Sequence, residues 1–401
     1  AKLLAAAEKL EAKDDRTFTL DFKKPFGMVL DAFSKPSSIP LFVMPEKVAQ
    51  TDPFKQITDM TGSGPYMFAA DRYRPGEKVV YLKNPYYVPR NEPADGTAGG
   101  KHVYVDELDW VILRDAQTVA NAIEKGEVDV VEMVPNEQYS VLKKNPDIQL
   151  LNQTGKQSAM LHLNHAIPPF NNPKIAQAAL MAINQAALQR AQIVHKELWN
   201  TCTSIYPCGS LYASDKTDYF TGKPQFKRAQ ELLKEAGYDG TPVVLMLPAD
   251  MPSLNKYPPV MAELLRRAGF KVDLQSMDWA TLVTRRTKSS PVSEGGWNGF
   301  ITFWNQADTF NPLFFAPLTG SGLKGWFGWT DDPKLEALKD EFVGTSDLAK
   351  RKELAEGIQL RVMDSGVYGM LGEAKPIIAL RKNISGLVEA PISVFWGLKK
   401  D

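Results

Sequence analysis

Trp304, Asn305, Gln306 and Asp308 bring an indole, two side-chain amides and a carboxylate together in one short run of the chain. Such groups bind rather than react. The carboxylate can pair with a cation, the amides can donate and accept hydrogen bonds, and the indole gives an apolar wall, which is how small-molecule pockets are lined. All four lie in EGGWNGFITFWNQADTFNP, Glu294 to Pro312. There Gly295, Gly296 and Pro312 bound an apolar run, Phe300-Ile301-Thr302-Phe303, that reads as a buried strand. In an α/β sheet, residues that follow a strand stand at its carboxyl end, where ligands usually bind. Trp297 and Phe303 are further candidates for the apolar wall, with Phe310, Trp326, Phe327 and Trp329 gathered nearby. The competing reading makes Trp297 and Trp304 core residues and Asp308 a helix cap or turn former.

Catalysis needs a nucleophile with a base, a metal site or a cofactor loop. There are four histidines. His162 and His165 fall in a strand-like run, where a spacing of three points them to opposite faces, so they cannot share a metal there. His102 and His195 have no Cys, Asp or Glu at ligand spacing, and no G-x-S-x-G elbow occurs. The loop NEPADGTAGGK, Asn91 to Lys101, resembles a phosphate-binding loop only superficially, because Asp95 stands where a glycine is required and His102 follows the lysine. The expectation is therefore a protein that is not an enzyme, with no cofactor and no metal.

The chain has 401 residues, enough for two or more compact units. Its 47 basic and 47 acidic residues balance, so no overall field gathers nucleic acid or an anionic membrane. No stretch approaches the roughly twenty apolar residues of a membrane span. The sequence begins at Ala1 without Met or a signal-peptide pattern, which reads as a processed or trimmed product. The two cysteines, Cys202 and Cys208, share the loop TCTSIYPCGS with Pro207 and Gly209. This spacing suits a small-ring disulfide and an oxidising compartment such as the bacterial periplasm. Two unpaired thiols are the alternative, and a metal pair lacks a CxxC or a nearby His.

Elements to position these groups follow from periodicity. Residues 1–13 read as an amphipathic helix, Arg16 to Phe22 as a strand and Met28 to Phe33 as a helix, with Pro36, Pro40 and Pro45 as breaks. Strands are expected at the end of TGSGPYMF and over Lys78 to Tyr87. Strand Glu107–Leu113, helix Ala116–Lys125 and strand Val128–Met133 form an expected βαβ unit with parallel strands. The same grammar returns as strand Ala159–Asn164, helix Lys174–Gln192, helix Gln225–Ala236, strand Pro242–Leu247, helix Pro258–Ala268, strand Lys271–Met277 and helix Trp279–Lys288. Helices Pro333–Phe342 and Asp347–Asp364 and short strands Pro376–Leu380 and Ile392–Leu398 follow. Two α/β sets separated by a long insertion predict two lobes.

These segments resemble the solute-binding proteins of ABC importers of the dipeptide, oligopeptide and nickel class, family 5 of the bacterial extracellular solute-binding proteins. TGSGPYMFAADRYRPGEKVVYLKNPYYV is similar to the family's GTGPF…PGE…L.RNP.Y signature, and ELDWVILRDAQTVANAIEKGEVDVV to its D..T…AL..GEVDV unit. LHLNHAIPPFNNPKIAQAALMAINQAAL, RAQELLKEAGY and AELLRRAGFKVDLQSMDW match further blocks in order, from about Leu10 onward.

The resemblance implies an α/β, two-lobed periplasmic binding protein of type II, cluster C-like, with a hinge between the lobes. Residues 61–157 plus 368–401 would be the lobe I sheet domain and 158–367 lobe II, with hinge strands near Gln157 and Gly369. Residues 1–60 would be the remnant of an extra lobe I subdomain, because family members carry a longer opening segment. In peptide binders of the family, an Asp four residues before a Pro pairs with the ligand amine, which Asp308 and Pro312 match. In nickel-chelate binders the aromatic four residues earlier lines the pocket, which Trp304 matches. The family's Arg falls on Ala176 and its Asp-Arg on Asn184-Gln185, taken as surface or interlobe positions. The implied function is capture of a peptide or peptide-like small polar ligand for an ABC transporter permease, by a monomer in the periplasm or lipid-anchored outside the membrane. Metal chelates, opines and oligosaccharides are alternative ligands. A peptide chaperone or signalling receptor on the same scaffold is the remaining alternative.

Overall fold

The computed structural model of the chain describes residues 2–35, 41–52, 55–152 and 155–401. Pro36 and Pro40, read above as breaks, lie outside the described residues. The fold is mixed α/β and divides into two compact units, Ala1–Lys35 with Lys156–Ala374, and Pro36–Gly155 with Lys375–Asp401.

The first unit is built on a six-stranded sheet. Its strands are β1 (Gln157–Leu163), β2 (Trp199–Asn200), β3 (Val243–Pro248), β4 (Val272–Met277), β5 (Gly299–Asn305) and β6 (Tyr368–Ala374). They lie side by side in the order β4-β3-β5-β1-β6-β2. β3 runs parallel to β4 and β5, while β1 is antiparallel to both β5 and β6. Strand β1 has residues 158–163 buried on both faces, as a mid-sheet strand covered on two sides must be, and Ser158 and His162 are buried with the apolar residues. The crossover from β3 to β4 through helix Tyr257–Arg267 is a βαβ unit, as its sequence predicts.

Polar side chains punctuate the helices of this unit. The run expected as one helix over 174–192 is two, α1 (Pro173–Met181) and α2 (Gln185–Gln192). The break falls where the Asn184 side chain accepts the Ala187 amide at 3.1 Å and so caps α2. Gln185 then points inward, donating to the carbonyls of Cys202 (2.6 Å) and Met370 (3.0 Å) and accepting the Cys202 amide at 2.9 Å. Ala176 and Gln185 are fully buried, so of the two readings, surface or interlobe, neither residue fits the surface one. Ala176 faces Gly366, which ends helix Leu348–Ser365 at φ +66°, and a Cβ there would lie 2.6 Å from the Ala176 Cβ.

The Cys202–Cys208 disulfide is formed, with Cα atoms 5.8 Å apart. Its loop is held by Glu373, a fully buried carboxylate that accepts from the Cys208 amide (2.7 Å), Asn200 Nδ2 (2.7 Å) and Lys156 Nζ (3.2 Å). One strand residue before it, Gly372 takes φ +108° at a bulge in β6, where a Cβ would press on the Gln189 side chain.

Three expectations are corrected here. Residues 1–13 are not one helix: Lys2–Ala6 is helical, and Ala7–Asp14 forms an antiparallel hairpin with Thr17–Phe22. The turn closes where the Arg16 amide donates to Asp14 Oδ1 at 2.8 Å, and a short isolated helix cannot compete with a paired strand. Contacts group residues 1–35 with 156–374 rather than with 61–157, because Met28 is buried in the core of the first unit and the Gly27 amide donates to the Val343 carbonyl at 2.7 Å. Residues 368–374 likewise form β6 of that unit's sheet.

The second unit contains two three-stranded antiparallel sheets among its described residues. One joins Tyr66–Phe68, Lys78–Lys83 and Glu107–Val111; the other places Ile377–Arg381 between Val130–Val131 and Ile148–Asn152. The expected βαβ unit over 107–133 is therefore not a parallel pair, since its two strands belong to different sheets. Glu107–Val111 takes its neighbour Lys78–Lys83 as partner, secured by the ion pairs Lys78–Asp109 and Arg72–Glu107. Residues 392–398 are not a strand either. Gly397 at φ +93° turns the chain, and only Lys399–Lys400 pairs, with Ile384–Ser385.

The disulfide spans a sequence separation of 6. Loop-closure entropy for so short a ring corresponds to about 2 kcal/mol. A double Cys202→Ala, Cys208→Ala variant is expected to lose that much unfolding free energy in urea titrations, with unchanged far-ultraviolet circular dichroism.

Candidate functional site

Strand alternation decides which candidate residues share a face. Along β5, Phe300, Thr302 and Trp304 point one way and Ile301, Phe303 and Asn305 the other. Register places Phe300 opposite His162 and Trp304 opposite Ser158 on β1, while Tyr368 on β6 is also opposite His162. One face of the sheet therefore carries an aromatic nest. His162 stacks on Phe300 with centroids 4.8 Å apart and lies 4.9 Å from Trp326. Trp304 meets Trp326 at 5.6 Å and Phe315 edge-on at 5.1 Å.

His162 has a specific task in this nest. Trp304 Nε1 donates to His162 Nε2 at 3.3 Å, which orients the indole and requires a neutral, accepting imidazole nitrogen. Burial, reinforced by the positive charge of Arg286, holds the His162 pKa down at about 3. The ring is thus neutral at any physiological pH. Two buried hydroxyls on the same face, Ser158 Oγ and Tyr368 Oη, have no hydrogen-bond partner among the described residues.

Asp308 stands just beyond the strand, in the single helical turn Gln306–Thr309, and is 5% exposed. Asn305, not Asp308, is the N-cap residue of that turn, and its side chain makes no cap hydrogen bond. Lys35, which lies far away in sequence, is the cation drawn to Asp308. Burial lowers its pKa, and the Asp308 charge opposes that shift. The Lys35 ammonium also lies 5.4 Å from the centroid of the Phe314 ring.

The other expected site residues fall in different places. Asn305 is half-buried and accepts from Gln157 Nε2 at 3.2 Å, while the Gln306 amide donates to the Lys156 carbonyl at 3.0 Å. Trp297 is fully buried, with its ring 5.0 Å from Phe300 and 5.8 Å from Trp329 and its indole N–H donating to the Arg286 carbonyl at 3.1 Å. It supports the nest from behind. Phe303 is half-buried on the face opposite Trp304 and packs on the main core. Trp304 and Asp308 thus stand together at the carboxyl end of β5, whereas Trp297 and Phe303 do not join them.

Sequence reasoning missed His162, Lys35 and Arg286. Sequence alone excludes a metal shared by His162 and His165 in that strand and reads His162 as a satisfied or exposed histidine; its place beside Phe300 and Trp304 follows from strand pairing. Lys35 carries no local signal.

A mixed α/β chain in two units, with a buried carboxylate and an indole at a strand end, has the make-up of a ligand-binding protein. Residues 2–326 match the profile of Bacterial extracellular solute-binding proteins, family 5 Middle, and the chain belongs to that family of two-lobed binding proteins. It is 34% identical over 99% of its length to the probable peptide ABC transporter periplasmic-binding protein y4tO of Sinorhizobium fredii, covering 75% of that protein. It is also 26% identical over 98% of its length to the glutathione-binding protein GsiB of Pectobacterium atrosepticum, covering 73% of it. Among solved structures, the dipeptide binding protein of Pseudoalteromonas sp. SM9913 in complex with Met-Leu shares the fold with a TM-score of 0.78 at 21% identity, over 99% of this chain and 76% of that one. The PBP AgaA of A. tumefaciens R10 in complex with agropinic acid does so with a TM-score of 0.79 at 22% identity, over 99% and 78%. Among the described residues no helix is long and apolar enough to cross a membrane.

The neutral His162 makes stability depend on pH. The unfolded chain takes up a proton on this ring below its ordinary value of about 6.5, whereas the folded protein does so only near pH 3. Stability is therefore unaffected above pH 6.5 and falls as pH drops from there. His165, whose pKa burial also lowers, adds to the same trend. Urea titrations between pH 6.5 and 5 should show a shallower decline for His162→Phe, by up to about 1.4 kcal/mol per pH unit. Parallel slopes would mean that the ring is charged in the folded protein.

Proposed function

We propose that this protein captures a short peptide and hands it to an ABC transporter permease on the outer side of the cytoplasmic membrane, free in the periplasm or held there by a lipid anchor. On this reading the unit containing residues 156–374 is lobe II of the family and the unit containing 41–152 is lobe I, and the protein is a carrier rather than an enzyme.

Asp308 is the observation that carries the reading. A carboxylate shielded from water is favourable only when paired, and in this position it draws an ammonium, that of Lys35. A peptide's α-amine offers the same charge and three N–H donors. Trp304, held by His162, supplies a rigid apolar wall beside it. The names of two relatives support the same class of ligand: one is a peptide transporter component, and glutathione, which the other binds, is itself a tripeptide.

Asp308→Ala is expected to weaken binding of a di- or tripeptide by about 2–5 kcal/mol, the range for removing one side of a buried charge pair. Isothermal titration calorimetry on the folded variant gives the number. An N-acetylated peptide should bind the unaltered protein about as weakly and lose nothing further on substitution. Equal affinity of the variant and the parent for the free-amine peptide would remove Asp308 as the anchor.

A further inference from the structure

Lys156 opens the long stretch 156–374 of the first unit, and Glu373 stands one residue before its end. The two are neighbours across the sheet, because Glu373 on β6 lies opposite Ser158 on β1. The Lys156 ammonium donates to Glu373 Oε2 (3.2 Å) and to the Cys208 carbonyl (3.2 Å), so strand and disulfide loop hold it together. Its backbone carbonyl has a different partner. It accepts the Gln306 amide at 3.0 Å, and Gln306 opens the helical turn that carries Asp308. The next residue, Gln157, donates through Nε2 to Asn305 Oδ1 (3.2 Å), the residue that caps the same turn.

The two ends of the disulfide loop are held unequally. Cys202 is fixed by Gln185 at the start of α2, which accepts its amide (2.9 Å) and donates to its carbonyl (2.6 Å). The middle of the loop is fixed by Gln359, whose Oε1 accepts from Ser204 Oγ (2.7 Å) and the Ile205 amide (3.1 Å). Cys208 is held by the covalent bond, by Glu373 accepting its amide (2.7 Å) and by Lys156. Beyond it Gly209 takes φ +87°, where a Cβ would meet nothing within 4 Å among the described residues. That side leaves room for the chain to shift. When a bond between two sulfurs is cut, they part to van der Waals distance, and the end with fewer ties yields.

We infer that Lys156 is a positioning residue for the turn that carries Asp308, and that the Cys202–Cys208 disulfide sets its place, so that ligand affinity depends on the oxidation state of that bond. The reductant is a dithiol. One of its thiolates attacks Sγ of Cys208, the half-buried member of the pair, and Cys202 leaves and is protonated. The second thiol closes a ring on the first and releases Cys208, so the dithiol is oxidised to a cyclic disulfide and its two hydrogens end on the two cysteines. The Cys208 amide and carbonyl then move, Lys156 and Glu373 follow their partners, and the Lys156 carbonyl takes the Gln306 amide with it. Such a chain of hydrogen bonds is a physical route for coupling between two places in a protein. That the ligand is a peptide rests on the reading above; the link from disulfide to turn is testable without it.

The first measurement needs no ligand. The backbone amide signal of Gln306 is followed in nitrogen-15 spectra before and after treatment with dithiothreitol, with the two released thiols counted by a chromogenic reagent. The signal should shift on reduction, and it should move in the same direction in the Cys202→Ala, Cys208→Ala variant, where the bond cannot form. In Lys156→Met it should no longer respond to reduction, and in Lys156→Arg the response should return. A Gln306 signal that stays in place in both the reduced protein and the double-alanine variant overturns the inference. So does a shift that persists undiminished in Lys156→Met.

The second measurement titrates trialanine by calorimetry into the oxidised and the reduced protein. Reduction should weaken binding by about twofold to thirtyfold, the range for groups that modulate a site without touching its ligand. Lys156→Met should bind weakly and equally in both states. Equal affinity of the oxidised and reduced parent overturns the inference. If trialanine binds neither form while the Gln306 signal responds to reduction through Lys156, the peptide reading fails and the positioning role stands.

Discussion

The antiparallel pairing of Gln157–Leu163 with Gly299–Asn305 is the constraint on which the site depends. It sets Phe300 against His162 and Trp304 against Ser158, so that the imidazole and the two rings share one face of the sheet. A slip of one residue would turn all of them to the other face. Both strands are central and buried, and burial on two sides is what makes the register unambiguous. The indole of Trp304 then finds its acceptor, and the turn that carries Asp308 begins at a defined height above the sheet.

The edge of that sheet is fixed by polar groups rather than apolar ones. Glu373 gathers the Cys208 amide, Asn200 and Lys156, while Gln185 gathers both backbone groups of Cys202 and the Met370 carbonyl. Each carbonyl or amide in that loop would be costly if left unpaired in the interior. The disulfide closes a loop whose backbone is already committed to these partners, so the covalent bond and the buried side chains act on the same few residues.

Much of this was legible in the sequence and some was not, for physical reasons. The apolar run at Phe300 with glycines before it and amides after it announced a central strand with a polar end, because burial on both faces leaves no alternation to misread. The two halves of residues 174–192 could not be told from one helix by periodicity, since Asn184 interrupts the pattern only through its side-chain cap. Residues 7–13 looked helical because spacing cannot show a partner strand, and 107–133 looked like a parallel unit because spacing cannot show which sheet a strand joins. Trp297 read as a wall and is a foundation, since depth within a sheet layer has no one-dimensional signature. Lys35 was invisible for the same reason: its charge reaches Asp308 through folding alone.

The interleaving of the two units has a further consequence, for synthesis. Tyr368–Ala374 lies inside one sheet, flanked by strands made some two hundred residues earlier, and Ile377–Arg381 is the middle strand of another. The first sheet cannot be completed until residue 374 has been added, nor the second until residue 381, so strands made long before hold unpaired edges until these two arrive. Such a topology couples the two units in time, because a single short stretch of chain completes both sheets almost together.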